Sequence, residues 1–554
     1  MLTSSFPLNP SSVNAAEVFN RAIAHHQAGN IGAAEQLYRQ ILQQQPQNVD
    51  ALSMMGVICC QRGNLEQGIA IYRQALTIRP QHRQTRENLN LALWKQGKRL
   101  MDEAIANFNL AINFEPKNVQ THDVLASIYL EQGLYEQAIT LYQQSLAANP
   151  SNITALNGIG AALQLQGKSS FATHFYQQAL ALQPDNIDSL VGISKAMLDQ
   201  GNVDEALSIV NRVLALSPNH AIARYNRALM LIQQGNFQEG FAEYEWRFKT
   251  GEFPPCPFKQ PVWDGKPLQG RTLLLHAEQG LGDTLQFIRY AAIATQSGGR
   301  VIFTCHRPLM RLLSTLPGIA EFIPLGLPLP AFDVYAPLLS LPTILGTTLE
   351  TVPHAVPYIH PPASDWQLPI APSPSTHPHP LKVGIVWAGG NLYKQNYRRS
   401  LSLKQFEPLL EVPNVALYSL QKGIPQVEIA ELGWESRLQD LSYHLNDMAD
   451  TATAIAQLDL IIAVDTSVAH LAGALGKPVW LLLSHVADWR WLSDRDDTPW
   501  YPTMRLFRQQ QPGDWQALMQ RVAGELEKFQ GSDARDQNHS IHLKPAPCPL
   551  KPET

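Results

Sequence analysis

Asp283, Asp465 and His470 lie in the second half of the chain beside glycines and hydroxyl residues, a grouping suited to anion binding and proton transfer. The first stretch is His276-Ala277-Glu278-Gln279-Gly280-Leu281-Gly282-Asp283-Thr284. Gly280 and Gly282 allow a ligand to approach the backbone, and a helix opening there favours an anion. Asp283 either caps that helix or directs a carboxylate into a cleft, where it could accept a proton. The spacing is not a complete G-x-G-x-x-G, so it gives little support to a dinucleotide site. In the second stretch an apolar run from Asp459 ends at Asp465-Thr466-Ser467-Val468-Ala469-His470. Amides of a helix opening at Thr466 or Ser467, with the two hydroxyls, would suit a diphosphate. His470 is one turn further on, within reach of the same anion; a packed histidine behind a helix cap is the alternative. The third stretch runs from Trp387 through Gly389, Gly390, Asn391 and Lys394 to Arg398 and Arg399. Lys394 and the arginines either neutralise phosphate or form a solvated basic loop.

These residues need strand ends to hold them. Residues 271–276, 301–305, 382–387, 415–421, 458–464, 478–483 and 504–508 read as strands, with helical patterns over 283–296, 450–457 and 466–476. The alternation predicts parallel α/β sheets, which bind ligands at the carboxyl ends of their strands. Seven prolines between 361 and 380 predict a linker between two such lobes. The first lobe would span 271–360 and the second, nucleotide-binding lobe 381–530. A Pro-rich connector covers 251–270, and residues 531–554 have the composition of a disordered tail. Trp489, Arg490, Trp491, Trp500 and Tyr501 form an aromatic cluster that either packs between lobes or stacks on a ligand.

The first half keeps a different beat. Glycines at 29, 63, 97, 133, 167, 201 and 235 recur every 34 residues, with one step of 36 after Gly97. Prolines at 46, 80, 116, 150, 184 and 218 keep the same spacing. A small residue follows most glycines by five, as at Ala34, Gly68 and Ala138, and a bulky one comes four later, as at Tyr38, Tyr72 and Tyr142. In the unit with the insertion these positions fall at Ala104 and Phe108. Each unit is predicted to be two amphipathic helices, with the glycine at the turn and the proline ending the second. One pair cannot bury its own apolar face, so about seven units over residues 14–250 would stack into an all-α solenoid with a groove.

This region resembles the tetratricopeptide repeat, which implies a protein or peptide partner in the groove. Residues 271–525, and most specifically 465–483 (DTSVAHLAGALGKPVWLLL), resemble the heptosyltransferase-like glycosyltransferases of family 9. The resemblance implies a GT-B architecture of two Rossmann-like lobes and inverting transfer from a nucleotide-sugar, without a metal or further cofactor. It implies that Asp283 is the catalytic base. Gly280, Gly282, Lys394, Asp465, Thr466, Ser467 and His470 would hold the donor phosphates. Asn391, Gln421 and Lys422 are further candidates for nucleotide contact. The chain resembles bacterial proteins that fuse such repeats to such a region. A repeat scaffold whose transferase-like region has lost turnover is the competing reading. In the O-GlcNAc transferases an asparagine ladder lines the repeat groove. Nine residues before each glycine this chain has Asn20, Met54, Asn88, Val124, Gly158, Gly192 and Asn226, which is only a partial ladder.

Composition narrows the field further. A formal net charge of -5 gives no basic footprint for nucleic acid. The apolar runs are strand-sized, and residues 1–10 lack the pattern of an export signal, so no transmembrane segment and a cytoplasmic location are expected. Five cysteines without C-x-x-C spacing suggest neither zinc nor a disulfide framework, and the adjacent Cys59 and Cys60 are expected to be buried as small apolar residues.

Overall fold

The computed structural model describes residues 15–370, 379–390, 396–493 and 495–531. Two compact units divide at Gln166/Gly167, inside the repeat array rather than at its end near residue 250. In the first unit, helices Ala15–Gln27, Ile31–Gln44, Val49–Gln61 and Leu65–Ile78 form two hairpins. The long helix Arg83–Phe114 follows, and then Val119–Glu131, Tyr135–Ala148 and Ile153–Leu165. The second unit begins with Ser169–Leu182, Ile187–Asp199, Val203–Leu216, Ala221–Gln233 and Phe237–Tyr244.

The repeat logic holds in both units. Six beat glycines (29, 63, 133, 167, 201 and 235) have φ between 77° and 86°, the left-handed conformation that ends a helix without a Cβ clash. After the prolines, Asn48, Asn118, Asn152 and Asn186 cap the next helix by accepting a backbone N–H, each worth about 1 kcal/mol. Ala34, Ala138, Ala172 and Ala206 are fully buried, as are Tyr38 and Val210. Gly158 and Gly192, at ladder positions, make room for the rings of Tyr142 and Tyr176 instead of offering groove contacts. Cys59 and Cys60 are half-buried rather than fully enclosed.

The third unit departs from the expected hairpin. Gly97 lies inside the 32-residue helix Arg83–Phe114, and no turn forms. Elsewhere the glycine is followed by Asn, Leu or Lys and then directly by the second helix; here the two extra residues, within Lys98-Arg99-Leu100-Met101, are strong helix formers that carry the first helix through.

In the second unit two parallel sheets follow. The first has the order β3-β2-β1-β4, from β1 (Thr272–His276), β2 (Arg300–Cys305), β3 (Ile319–Pro324) and β4 (Val334–Pro337). The second has the order β10-β9-β8-β5-β6-β7. Its strands are β5 (Leu381–Val386), β6 (Val415–Ser419), β7 (Leu438–Asp440), β8 (Leu460–Val464), β9 (Val479–Leu483) and β10 (Met504–Arg508). Leu273 pairs with Val301 at the centre of one sheet and Val383 with Leu460 at the centre of the other. The predicted helix over 283–296 is three short pieces, Leu281–Phe287, Ile288–Tyr290 and Ala291–Thr295.

The connector 251–270 is partly built into the fold. Trp263 and Leu268 are buried, and Val262 bridges to Tyr335 beside β4. The first part of the Pro-rich stretch is also docked: Gln457 Nε2 donates to the Trp366 carbonyl at 3.0 Å, and its Oε1 accepts from the Leu368 N–H at 3.0 Å. Residues 371–378 and the tail from 532 lie outside the described residues. Among those described, no helix is long and apolar enough to cross a membrane.

Candidate functional site

The turn after β1 carries Gly280, Gly282 and Asp283. Asp283 sits at the third position of helix Leu281–Phe287, with Gly280 as the N-cap. One carboxylate oxygen accepts the Gly280 N–H at 2.9 Å, and the other is paired with the Arg490 guanidinium. Asp283 is therefore neither a plain cap nor a free carboxylate. Arg490 is buried and also holds Asp488 at 2.7 Å and Gln286 Oε1 at 2.9 Å. Its pKa moves upward: burial opposes the charge, but Asp488 and Asp283 outweigh it. His306, just after β2, feels the Asp283 charge, yet burial wins and lowers its pKa. Its Nδ1 is buried and makes no hydrogen bond.

The turn after β8 carries Asp465 to His470. Burial pushes the Asp465 carboxyl up, but His470, Trp491 and Arg399 more than offset this and hold it at about 2. His470 Nε2 lies 3.7 Å from Asp465 Oδ1, and His470 Nδ1 lies 2.9 Å from the Tyr501 hydroxyl. The imidazole also stacks on Trp491 with ring centroids 5.2 Å apart, so it is firmly packed. Thr466 is the N-cap of helix Ser467–Ala474, but its hydroxyl caps nothing; it is buried and has no hydrogen-bond partner. Ser467 opens the helix and is half-buried.

These two turns meet. A Cβ on Gly282 would lie 3.0 Å from His470 Cδ2 and 3.6 Å from Ser467 Cα. The first-sheet turn thus rests on the second-sheet helix start, and glycine permits the approach.

The third stretch is placed differently. Asn391 and Lys394 fall outside the described residues. Gln421 serves as a buried clamp: its Oε1 accepts from the Trp387 and Ala388 N–H groups at 3.1 and 2.9 Å, and its Nε2 donates to the carbonyls of Ala388 and Lys422. Lys422 Nζ donates to the carbonyls of Ser442 and Leu445. Both side chains are thus engaged in holding strand-end loops. Arg398 pairs at 2.7 Å with Asp199 of a repeat helix, and Arg399 is the arginine whose charge reaches Asp465.

The aromatic cluster packs. Trp491, Trp500 and Tyr501 are fully buried. Phe237 of the last repeat stacks on Trp500 at 5.6 Å, and Phe241 and Tyr244 pack edgewise or tilted against Trp489. Arg247, also fully buried, joins Glu245, Glu278 and Ser340. Burial raises the Glu278 pKa, although Arg247 opposes this. The residues that sequence reasoning missed are Arg490 as the Asp283 partner and His306; Arg399 was singled out for phosphate, and its link to Asp465 was not. Only the local Trp489-Arg490-Trp491 sequence drew attention to Arg490, and nothing linked it to Asp283.

Residues 126–167 match the family described as TPR repeat, and residues 25–86 and 163–229 match the one described as tetratricopeptide repeat. The N-terminal region carries tetratricopeptide repeats. Protein FlbA of Caulobacter vibrioides is 29% identical over 331 residues, covering 53% of this chain and 53% of that protein. The chain thus spans about half the length of this curated relative. Among solved structures, a tetratricopeptide repeat protein from Parabacteroides merdae is similar at 16% identity and a TM-score of 0.26, over 43% of this chain and 93% of that one. A TPR protein of Thermus thermophilus is similar at 23% identity and a TM-score of 0.23, over 33% of this chain and 99% of that one. The family matches all fall within residues 25–229, before the parallel sheets, which begin at Thr272.

Proposed function

We propose that the two-sheet region is a GT-B-like, metal-independent inverting glycosyltransferase that uses a nucleotide-sugar, and that the tetratricopeptide repeats recruit a protein or peptide acceptor. The observation that carries this reading is the meeting of the Gly280–Asp283 turn with the Thr466 helix start, where a buried Thr466 hydroxyl has no partner. A buried polar group without a partner costs about 1–3 kcal/mol, which a bound phosphate oxygen would recover. The helix start supplies further N–H donors.

In this mechanism Asp283 takes the acceptor hydroxyl proton as that oxygen attacks the anomeric carbon, and the sugar–phosphate bond breaks. Each Asp283 oxygen makes one hydrogen bond and keeps a lone pair for the acceptor. Arg490 orients the carboxylate. Thr466, Ser467 and the helix amides stabilise the departing diphosphate, a role that the family resemblance extends to Lys394.

A second reading has its own support. Asp283 is held by the Arg490 ion pair and by the Gly280 N–H, and a carboxylate engaged in this way suits a scaffold whose transferase-like region binds without turnover.

The test is thermal shift of the full chain against UDP, GDP, ADP, CMP and their sugar conjugates. A ligand at a hundred times its Kd adds about 2.7 kcal/mol. A selective shift that disappears in Thr466→Val supports a donor site, since that change removes only an unpartnered hydroxyl and should not unfold the protein. No shift from any nucleotide favours the scaffold. With an acceptor in hand, Asp283→Ala should abolish transfer and keep the shift.

A further inference from the structure

The fused helix Arg83–Phe114 leaves a repeat unit unfinished. At about 1.5 Å per residue it runs roughly 48 Å, laying the two halves of the third hairpin end to end. In the two complete units whose small residue is itself a glycine, the residue three before the turn glycine packs on that residue, five after the turn. Cys60 meets Gly68 in this way, and Ile232 meets Gly240. The corresponding pair in the third unit, once the insertion is counted, is Trp94 and Ala104. They lie ten residues apart on one helix, about 15 Å along the axis, and cannot touch within a chain.

Burial shows the consequence. Ala104 and Phe108 are only half-buried, while their counterparts Ala34, Ala138, Tyr38 and Tyr142 are at most 3% exposed. Trp94 is 62% exposed, and Leu100 and Leu110 are each 55% exposed. The helix buries only Thr85 and Ala92. Leu93, Gly97, Leu100, Ala104 and Ala111 recur at helical spacing, so the uncovered side is a continuous stripe with glycine near its midpoint. An unmet glycine Cβ position there leaves room for a second helix to come close.

We infer that this helix is a homodimerisation element, in which two copies cross antiparallel near Gly97 and exchange hairpin halves. The occupant is a second copy because the missing surface is already specified: each half is encoded to pack on the other half of the same unit. The partner's residues 98–114 cover residues 83–97, and the reverse, so Trp94 of one copy meets Ala104 of the next. Exchanging an identical element in this way is a low-cost route to a closed two-fold dimer.

The test uses the full chain. Sedimentation velocity at micromolar concentration should give twice the chain mass. Deleting Lys98 and Arg99 restores the 34-residue step and leaves Gly-Leu-Met-Asp-Glu-Ala, the pattern of Gly133-Leu134-Tyr135-Glu136-Gln137-Ala138. That deletion should close the hairpin and yield a monomer. Should it fail to fold, Leu100→Glu changes a residue exposed in the single chain; helicity should hold while dimer affinity falls at least tenfold. A chain carrying both Trp94→Cys and Ala104→Cys should form an interchain disulfide that the wild type does not form under the same oxidant. A monomeric wild type, a dimer indifferent to Leu100→Glu, or no added cross-link would overturn the inference.

Discussion

Arg490→Met tests the ion pair at the centre of the site. The guanidinium has a side-chain exposure of 10% and serves Asp283, Asp488 and Gln286 together. Removing one partner of a fully buried pair costs about 3–5 kcal/mol, because the other charge stays behind. Here the carboxylates of Asp283 and Asp488 retain 19% and 28% exposure, so water recovers part of that loss. The expected cost is about 2–3 kcal/mol, scaled down from the fully buried case. Asp283→Asn in the same background removes one stranded charge and should return part of the loss, a coupling of about 1–2 kcal/mol. The chain has more than one compact unit, so a single global transition is a poor gauge. Hydrogen exchange on peptides covering 281–290 and 486–493 reads this region alone. If their protection is unchanged in Arg490→Met, or the two substitutions add within about 0.5 kcal/mol, the pair does not hold these loops together.

Three further outcomes follow from the same contacts. Gly282→Ala places a methyl 3.0 Å from an imidazole that Trp491 and Tyr501 hold in position, so it should destabilise by about 1–3 kcal/mol; unchanged hydrogen-exchange protection over 281–290 would show that the turns do not touch. Gln421→Leu strands the buried Trp387 and Ala388 N–H groups and should cost about 3 kcal/mol or more, read as lost hydrogen-exchange protection over 382–388, whereas a Gln421 free for nucleotide would be removed at little stability cost. The depressed Asp465 pKa makes the ionised form stabilising: the wild-type advantage over Asp465→Asn should be full above the ordinary carboxylate range and fade as pH falls toward about 2. A difference that is flat with pH would remove the charge argument.

Local signals in the sequence were read well, and long-range partners were not. The glycine beat located six turns because a positive φ is a property of one residue and its neighbours. The strands that end at His276, Val464 and Leu483 were legible as short apolar runs, whereas β3, β4 and β7 have no comparable run and were missed. Asp283 and Arg490 are 207 positions apart, and no spacing rule reaches that far. Gln421 was read for its chemistry, but its amide matches the backbone of the neighbouring strand loop, which only the fold brings within reach.

The 36-residue step was visible in the sequence, yet its consequence was not, and the reason is instructive. An insertion at a turn can lengthen the loop or erase it, and the choice depends on what the added residues do to a helix already running. A loop of Gly, Asn or Pro would have kept the hairpin and buried Trp94 against Ala104. Lys98, Arg99, Leu100 and Met101 instead propagate the helix, so the unit keeps the sequence of a hairpin and loses its shape. Ala104 and Phe108 keep the small-then-bulky pattern of the other units, yet they lie half-buried beside an exposed Trp94. That pattern is complete only when the complementary half packs on it, and in the dimer inferred above a second molecule supplies that half.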